Sequence, residues 1–184
     1  MLLPMATTVS KQDFDTAKLF IKSDIGREID LAKATADPTR AGHLQAAGVG
    51  LGGGNFLAAL GLLCYTEFGG WLKFDERFPV GHHRAGQSKA TENFNKFFDY
   101  LGAPYAAFRT QHKVYDIFRC GLAHEYFAKL SDYTIHAIDG GGMTMGITHD
   151  TTTGRFTFNV EKYRADLLAA FDRLETELTF PLQR

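Results

Sequence analysis

The regular pattern of the chain begins at Phe14. Phe14, Ala17, Leu19, Phe20, Ile21, Ile25, Ile29, Leu31 and Ala32 recur at roughly helical spacing. Lys18, Lys22, Asp24, Arg27, Glu28 and Lys33 fill the other side. This periodicity predicts an amphipathic helix of about 20 residues. Asp13 stands where an N-cap would, and the Asp37-Pro38 step ends the helix, because the residue before a proline is pushed out of the α region. Asn55 to Glu67 is apolar nearly all round, with Phe56, Leu57, Leu60, Leu62, Leu63 and Cys64, and predicts the central core helix, stopped by Gly69-Gly70. Residues 71–89 form a long polar connection. Phe94, Phe97, Phe98, Tyr100 and Leu101 then mark a helix of about ten residues, closed by Gly102 and Pro104.

Tyr105 to Thr110 is a linker or the start of the next helix. That helix, Gln111 to Lys129, carries Val114, Ile117, Phe118, Gly121 and Leu122 along one side. After Ser131 the period changes to two. Residues 133–138, 143–148 and 155–160 read as two or three short strands, separated by Gly140–Gly142 and Thr151–Gly154. Glu161 to Thr179 returns to helix, with Tyr163, Leu167, Leu168, Phe171, Leu174 and Leu178 on one face. The expected fold is mainly α. It is a bundle of four to five helices with a small antiparallel β hairpin or meander (residues 132–160) before the C-terminal helix, all in a single domain spanning residues 1–184.

Composition narrows the function classes. The formal net charge of -1 gives no wholesale attraction to nucleic acid. Cys64 and Cys120 lie far apart in apolar runs, which predicts reduced, partly buried thiols and a cytoplasmic setting, not a disulfide framework. The N-terminal stretch has no basic region followed by a long apolar run, so no signal peptide is expected. The most apolar window, Ala46 to Leu63, contains six glycines and is not read as a membrane span. Gly48, Gly50 and Gly53 satisfy G-x-G-x-x-G in form. However, no strand precedes them and no βαβ unit surrounds them, so a loop or glycine-rich helix start is the better reading.

The polar residues of the Gln111–Lys129 segment are the candidate chemistry. Arg119 and His124 share one helical stretch, about 140° and about 7.5 Å apart on a regular α-helix. Asp116 stands three residues before Arg119, where it can orient the guanidinium. Cys120 is four residues before His124, and Glu125 adjoins it. Tyr115 and Tyr126 flank the group as half-buried aromatics or base-stacking partners. An imidazole near neutrality can move a proton at an RNA 2′-hydroxyl or at the leaving 5′-oxygen. A guanidinium can hold the nonbridging oxygens of the phosphate. Attack by the internal 2′-hydroxyl needs no metal-activated water, and no metal or other cofactor is expected. His82, His83 and Arg84 form the most basic short run, in a loop. They read as solvated residues or weak substrate or phosphate contacts, because two histidines lack the further ligands a metal needs.

Arg119-x4-His124, late in a helical bundle, resembles the R-x4-6-H motif of the HEPN superfamily (higher eukaryotes and prokaryotes nucleotide-binding). The resemblance covers residues 14–178 in architecture, and its motif is two residues. It implies a metal-independent endoribonuclease of toxin–antitoxin or defence systems, with Arg119 and His124 catalytic and Asp116, Cys120, Glu125 and Tyr126 supporting. It also implies a homodimer with both motifs on one cleft, an RNA or nucleotide ligand, an antitoxin or other protein partner, and no membrane. The family often has Asn, Asp or His after the arginine, where this chain has Cys120. The alternative is a non-catalytic domain of the same kind, serving nucleotide binding, protein interaction or dimerisation. In that reading Arg119 salt-bridges Asp116 or Glu125, and His124 is an ordinary core or interface histidine. His136 and His149 are not assigned to the site.

Overall fold

The computed structural model describes residues 8–51, 54–74, 89–124, 133–139, 141–180 and 182–183. It is mainly helical, with a small sheet ahead of the last long helix. Strand β1 (Thr8–Val9) leads into helix α1 (Lys11–Ala36). The cap of α1 is Ser10. Its hydroxyl accepts from the Asp13 N–H at 3.1 Å, and the Asp13 carboxylate accepts from the Ser10 N–H at 2.8 Å. Asp13 is therefore the third helical residue of a capping box, not the cap expected from the sequence. Asp37 ends α1 and at the same time caps α2 (Pro38–Ala46), accepting from the Thr39 N–H at 2.9 Å. Pro38 opens this second helix because a first-turn position needs no N–H. Gly48, at φ 75°, follows the end of α2 and donates to the Gln45 carbonyl at 2.9 Å. The formal glycine fingerprint thus begins as a helix-terminating turn.

Helix α3 (Asn55–Phe74) is the centre of the bundle and packs against α1, α4 (Lys89–Tyr100) and α7 (Val160–Glu177). It runs straight through Gly69-Gly70, where the sequence predicted a stop. A Cβ on Gly70 would lie 1.9 Å from the Asn93 carbonyl oxygen, and one on Gly69 would lie 2.5 Å from the Phe97 ring. The glycine pair is the place where α4 touches the backbone of α3, so close approach decided the residue type. Nor is α3 buried all round. Leu57 is 68% exposed and Cys64 is exposed, so one stripe faces solvent. Helix α5 (Ala103–Gln111) follows α4.

Strands β2 (Tyr133–His136), β3 (Ile147–Asp150) and β4 (Arg155–Asn159) form a sheet ordered β2-β4-β3. The β3–β4 hairpin is antiparallel, as expected, but β2 pairs with β4 in parallel. The connection between β2 and β3 is long enough to carry the chain to the far edge of β4, which a tight hairpin could not do. Within that connection, Gly146 sits where a Cβ would lie 2.5 Å from the backbone of Tyr163. Asn159 caps α7, accepting from the Lys162 N–H at 2.8 Å.

The core between α3, α4, α7 and the sheet is aromatic: Phe94, Phe97, Phe98, Phe158, Tyr163 and Phe171 are fully buried. Its tyrosine hydroxyls are paired. The Tyr163 hydroxyl shares a 2.8 Å hydrogen bond with Thr66, which donates to the Leu62 carbonyl or to Tyr163. The Tyr105 hydroxyl donates to Asp166 at 2.6 Å and accepts from the Gly146 N–H at 2.8 Å. Strand β5 (Leu182–Gln183) pairs antiparallel with β1. No described helix is long and apolar enough to cross a membrane.

Candidate functional site

The predicted helix from Gln111 to Lys129 is not continuous. Helix α5 ends at Gln111, and His112 is extended, at φ -135° and ψ 141°. A π-helical turn, Tyr115–Cys120, follows, and then the short helix α6 (Gly121–His124). The Gly121 N–H reaches the Asp116 carbonyl, five residues back. Such closure puts more than four residues into each turn, so positions four apart nearly line up. Val114, Phe118 and Leu122 have that spacing and are all buried. Phe118 anchors the turn to the sheet, with ring centroids 5.6 Å from Phe156 and 6.0 Å from Phe158. Turns of this kind are rare and are frequent at functional sites.

The winding also redirects the polar side chains. Three residues no longer bring Asp116 beneath Arg119. Asp116 is exposed, and the carboxylate beside Arg119 is Glu67 of α3, with Oε2 3.3 Å from Nε. The sequence did not single out Glu67, because it lies in the apolar α3 run, distant along the chain. Arg119 is 23% and Glu67 27% exposed at the side chain, yet the two facing atoms are buried and neither has a hydrogen-bond partner. The charges meet without the alignment a charge-assisted hydrogen bond requires. Tyr115, four residues before Arg119, packs edge-on against Phe94 at 5.3 Å. Burial, then the nearby Glu67 and Cys120, push its phenol pKa up, while Arg119 and a hydrogen bond with Thr91 pull it down.

Cys64, one turn before Glu67 on α3, feels the same guanidinium. Its thiol pKa is nevertheless raised, because partial desolvation by the surrounding side chains outweighs the cation even on this exposed residue. Cys120 is half-buried and, like Cys64, is not in a disulfide. The site therefore gathers Cys64 and Glu67 of α3 with Tyr115, Arg119 and Cys120 of the π turn. His124 closes α6 in the backbone, but its side chain lies outside the described residues, as do Glu125, Tyr126, His82, His83 and Arg84.

Two features beside the turn were not apparent in the sequence. The first is a histidine pair. His112, in the break after α5, and His149, on β3, have ring centroids 4.8 Å apart at 67°. His112 leans on Phe108 at 4.5 Å, and His149 stacks on its cross-strand partner Phe156 at 4.4 Å. Burial first, and then the neighbouring imidazole, push the His112 pKa down. The second is a cavity of about 380 Å³, lined among others by Thr91 and Asn95 of α4 and by Gln111, His112, Lys113 and Asp116. It opens where the chain breaks between α5 and the π turn. Arg109 on its wall is held by Asp99 through two hydrogen bonds of 2.5 and 2.6 Å. No three His, Cys, Asp or Glu residues converge as a metal site among the described residues.

No protein-family model matches this chain, and no curated protein or solved structure matches it either.

Proposed function

We propose that the protein is a metal-independent endoribonuclease that cleaves RNA by attack of the 2′-hydroxyl, with Arg119 binding the phosphate and His124 moving the proton. The observation that supports this reading is the state of Arg119. It sits in a π turn, and its Nε faces Glu67 Oε2 at 3.3 Å without a hydrogen bond. A guanidinium oriented through one nitrogen by a nearby carboxylate keeps donors for a phosphate. Electrostatic stabilisation at phosphorus is the contribution such a group makes to this chemistry. A second chain would complete the cleft, and a toxin or defence role with a protein antitoxin fits the same chemistry.

The test is cleavage of a mixed RNA pool in the presence of chelator. The expected products end in a 2′,3′-cyclic phosphate. Arg119→Ala and His124→Ala should each lower the rate by about 100-fold or more, and a single 2′-deoxy substitution at the cut should block it. Full activity in His124→Ala, or cleavage lost on chelation, would sink the reading.

Two observations favour a non-catalytic alternative. The same Glu67 contact gives Arg119 a partner within the fold, and Phe20 (46% exposed) and Leu57 leave apolar surface on α1 and α3. A helical interaction or dimerisation module would show concentration-dependent self-association and no RNA cleavage under any condition.

A further inference from the structure

We infer that the cavity between α4, α5 and the π turn is a nucleobase pocket that selects guanine. This rests on the ribonuclease reading for its role, since the pocket would hold the nucleotide next to the scissile phosphate. The π turn relates the two: Asp116 lines the cavity, and Arg119, three residues on in the same turn, faces α3. At about 380 Å³ the cavity falls within the roughly 300–1,000 Å³ of small-molecule sites.

Part of its polar lining is unspent. Among the described residues, Asn95, Gln111, Lys113 and Asp116 make no side-chain hydrogen bond or ion pair. The Arg109 charge on the same wall is already matched by Asp99. The cavity is therefore lined by one carboxylate, two amides and one ammonium without partners among the described residues, beside the ring-packed His112 and the mutually bonded Thr91 and Tyr115.

The carboxylate decides the base. Asp116 can only accept hydrogen bonds. Guanine presents two adjacent donors, N1–H and the exocyclic amine, with no acceptor between them. Adenine and cytosine place a ring acceptor next to their amine, which would face the carboxylate unfavourably. Uracil offers one N–H between two carbonyls. The amides of Asn95 and Gln111 can donate to O6 and N7, and Lys113 can meet a phosphate. Reading an unstacked base by its edges in this way is the usual mode for single-stranded RNA.

The test uses the full chain and the four nucleoside 5′-monophosphates, with binding followed by calorimetry. GMP should bind at least about tenfold more tightly than AMP, CMP or UMP, as one bidentate base contact predicts. Asp116→Asn should abolish that preference, Asn95→Ala should weaken GMP binding, and Arg40→Ala, on α2 and outside the cavity lining, should leave GMP affinity within about twofold. Asp116 is exposed, so its variant should keep the wild-type thermal midpoint, which is checked alongside. Equal affinity for all four nucleotides, or a GMP preference untouched by Asp116→Asn, overturns the pocket. Asp116-dependent GMP binding in a protein that cleaves no RNA supports the pocket and sinks the ribonuclease reading alone. Cleavage that depends on Arg119 and His124 but ignores guanosine, without GMP binding, does the reverse.

Discussion

The contact of α3 with α4 and α7 and the contact of α3 with the π turn use the same helix in opposite ways. In the first, the buried Thr66 and Tyr163 hydroxyls are matched to each other, and Gly70 lets α4 come within backbone contact at Asn93. In the second, two charged groups face each other at 3.3 Å with their hydrogen bonds unmade. Buried polar groups without partners are uncommon and call for an explanation. One face of α3 is built for fit. The other leaves interaction capacity unspent, which is costly unless something else uses it.

The largest effect that would probe this contrast is at the tight seam. Gly70→Ala drives a methyl group into the Asn93 carbonyl and should cost about 1–3 kcal/mol or more, read as the shift in a denaturant unfolding curve. Gly42→Ala, in α2 with nothing within 4 Å of its added methyl, is the control and should be neutral or slightly stabilising. A seam that tolerates both changes equally would remove the distinction.

A smaller effect compares polar pairs directly. Tyr163→Phe deletes one satisfied hydrogen bond in the core and should cost about 1 kcal/mol, since Thr66 retains the Leu62 carbonyl. Glu67→Gln should change stability less than that, because its ion pair is half-exposed and misaligned. If Glu67→Gln proves the costlier, the pair at the π turn is a structural clamp and the contrast fails.

The smallest effect is a pH dependence at the neighbouring histidines. His112 has a folded-state pKa below its ordinary value, so the unfolded chain binds its proton first. Its contribution is therefore present above the ordinary imidazole pKa of about 6.5 and is lost as pH falls from there towards the lower folded value. The thermal midpoint should drop on acidification through that window, and His112→Gln should flatten the drop. An identical slope in the variant would show that the pair is electrostatically silent.

The helices and the order of elements were legible because their signals are local. Phe94, Phe97 and Phe98, or Tyr163, Leu167 and Phe171, mark a buried face whatever the rest of the chain does. Gly69-Gly70 misled because a glycine pair signals a stop only when nothing needs to approach it, and α4 does. The parallel pairing of β2 was hidden for a related reason: alternation fixes faces, while strand order depends on the path of the connection. At the site, Arg119 stood out and Glu67 did not, since only the packing of two helices brings them together. Asp116 was assigned to Arg119 by α-helical spacing, and the chain does not use that spacing there.

The π turn has one more consequence, in the currency of chain length. A helical segment can absorb one extra residue by widening into such a turn. Val114 before it and Leu122 after it are both buried, so both flanks are fixed. Deleting a single residue between Tyr115 and Cys120 would let the segment relax to α-helix without disturbing either anchor. It would also swing Arg119 away from α3. At this point in the molecule, length variation can re-aim a charged side chain that no substitution has touched.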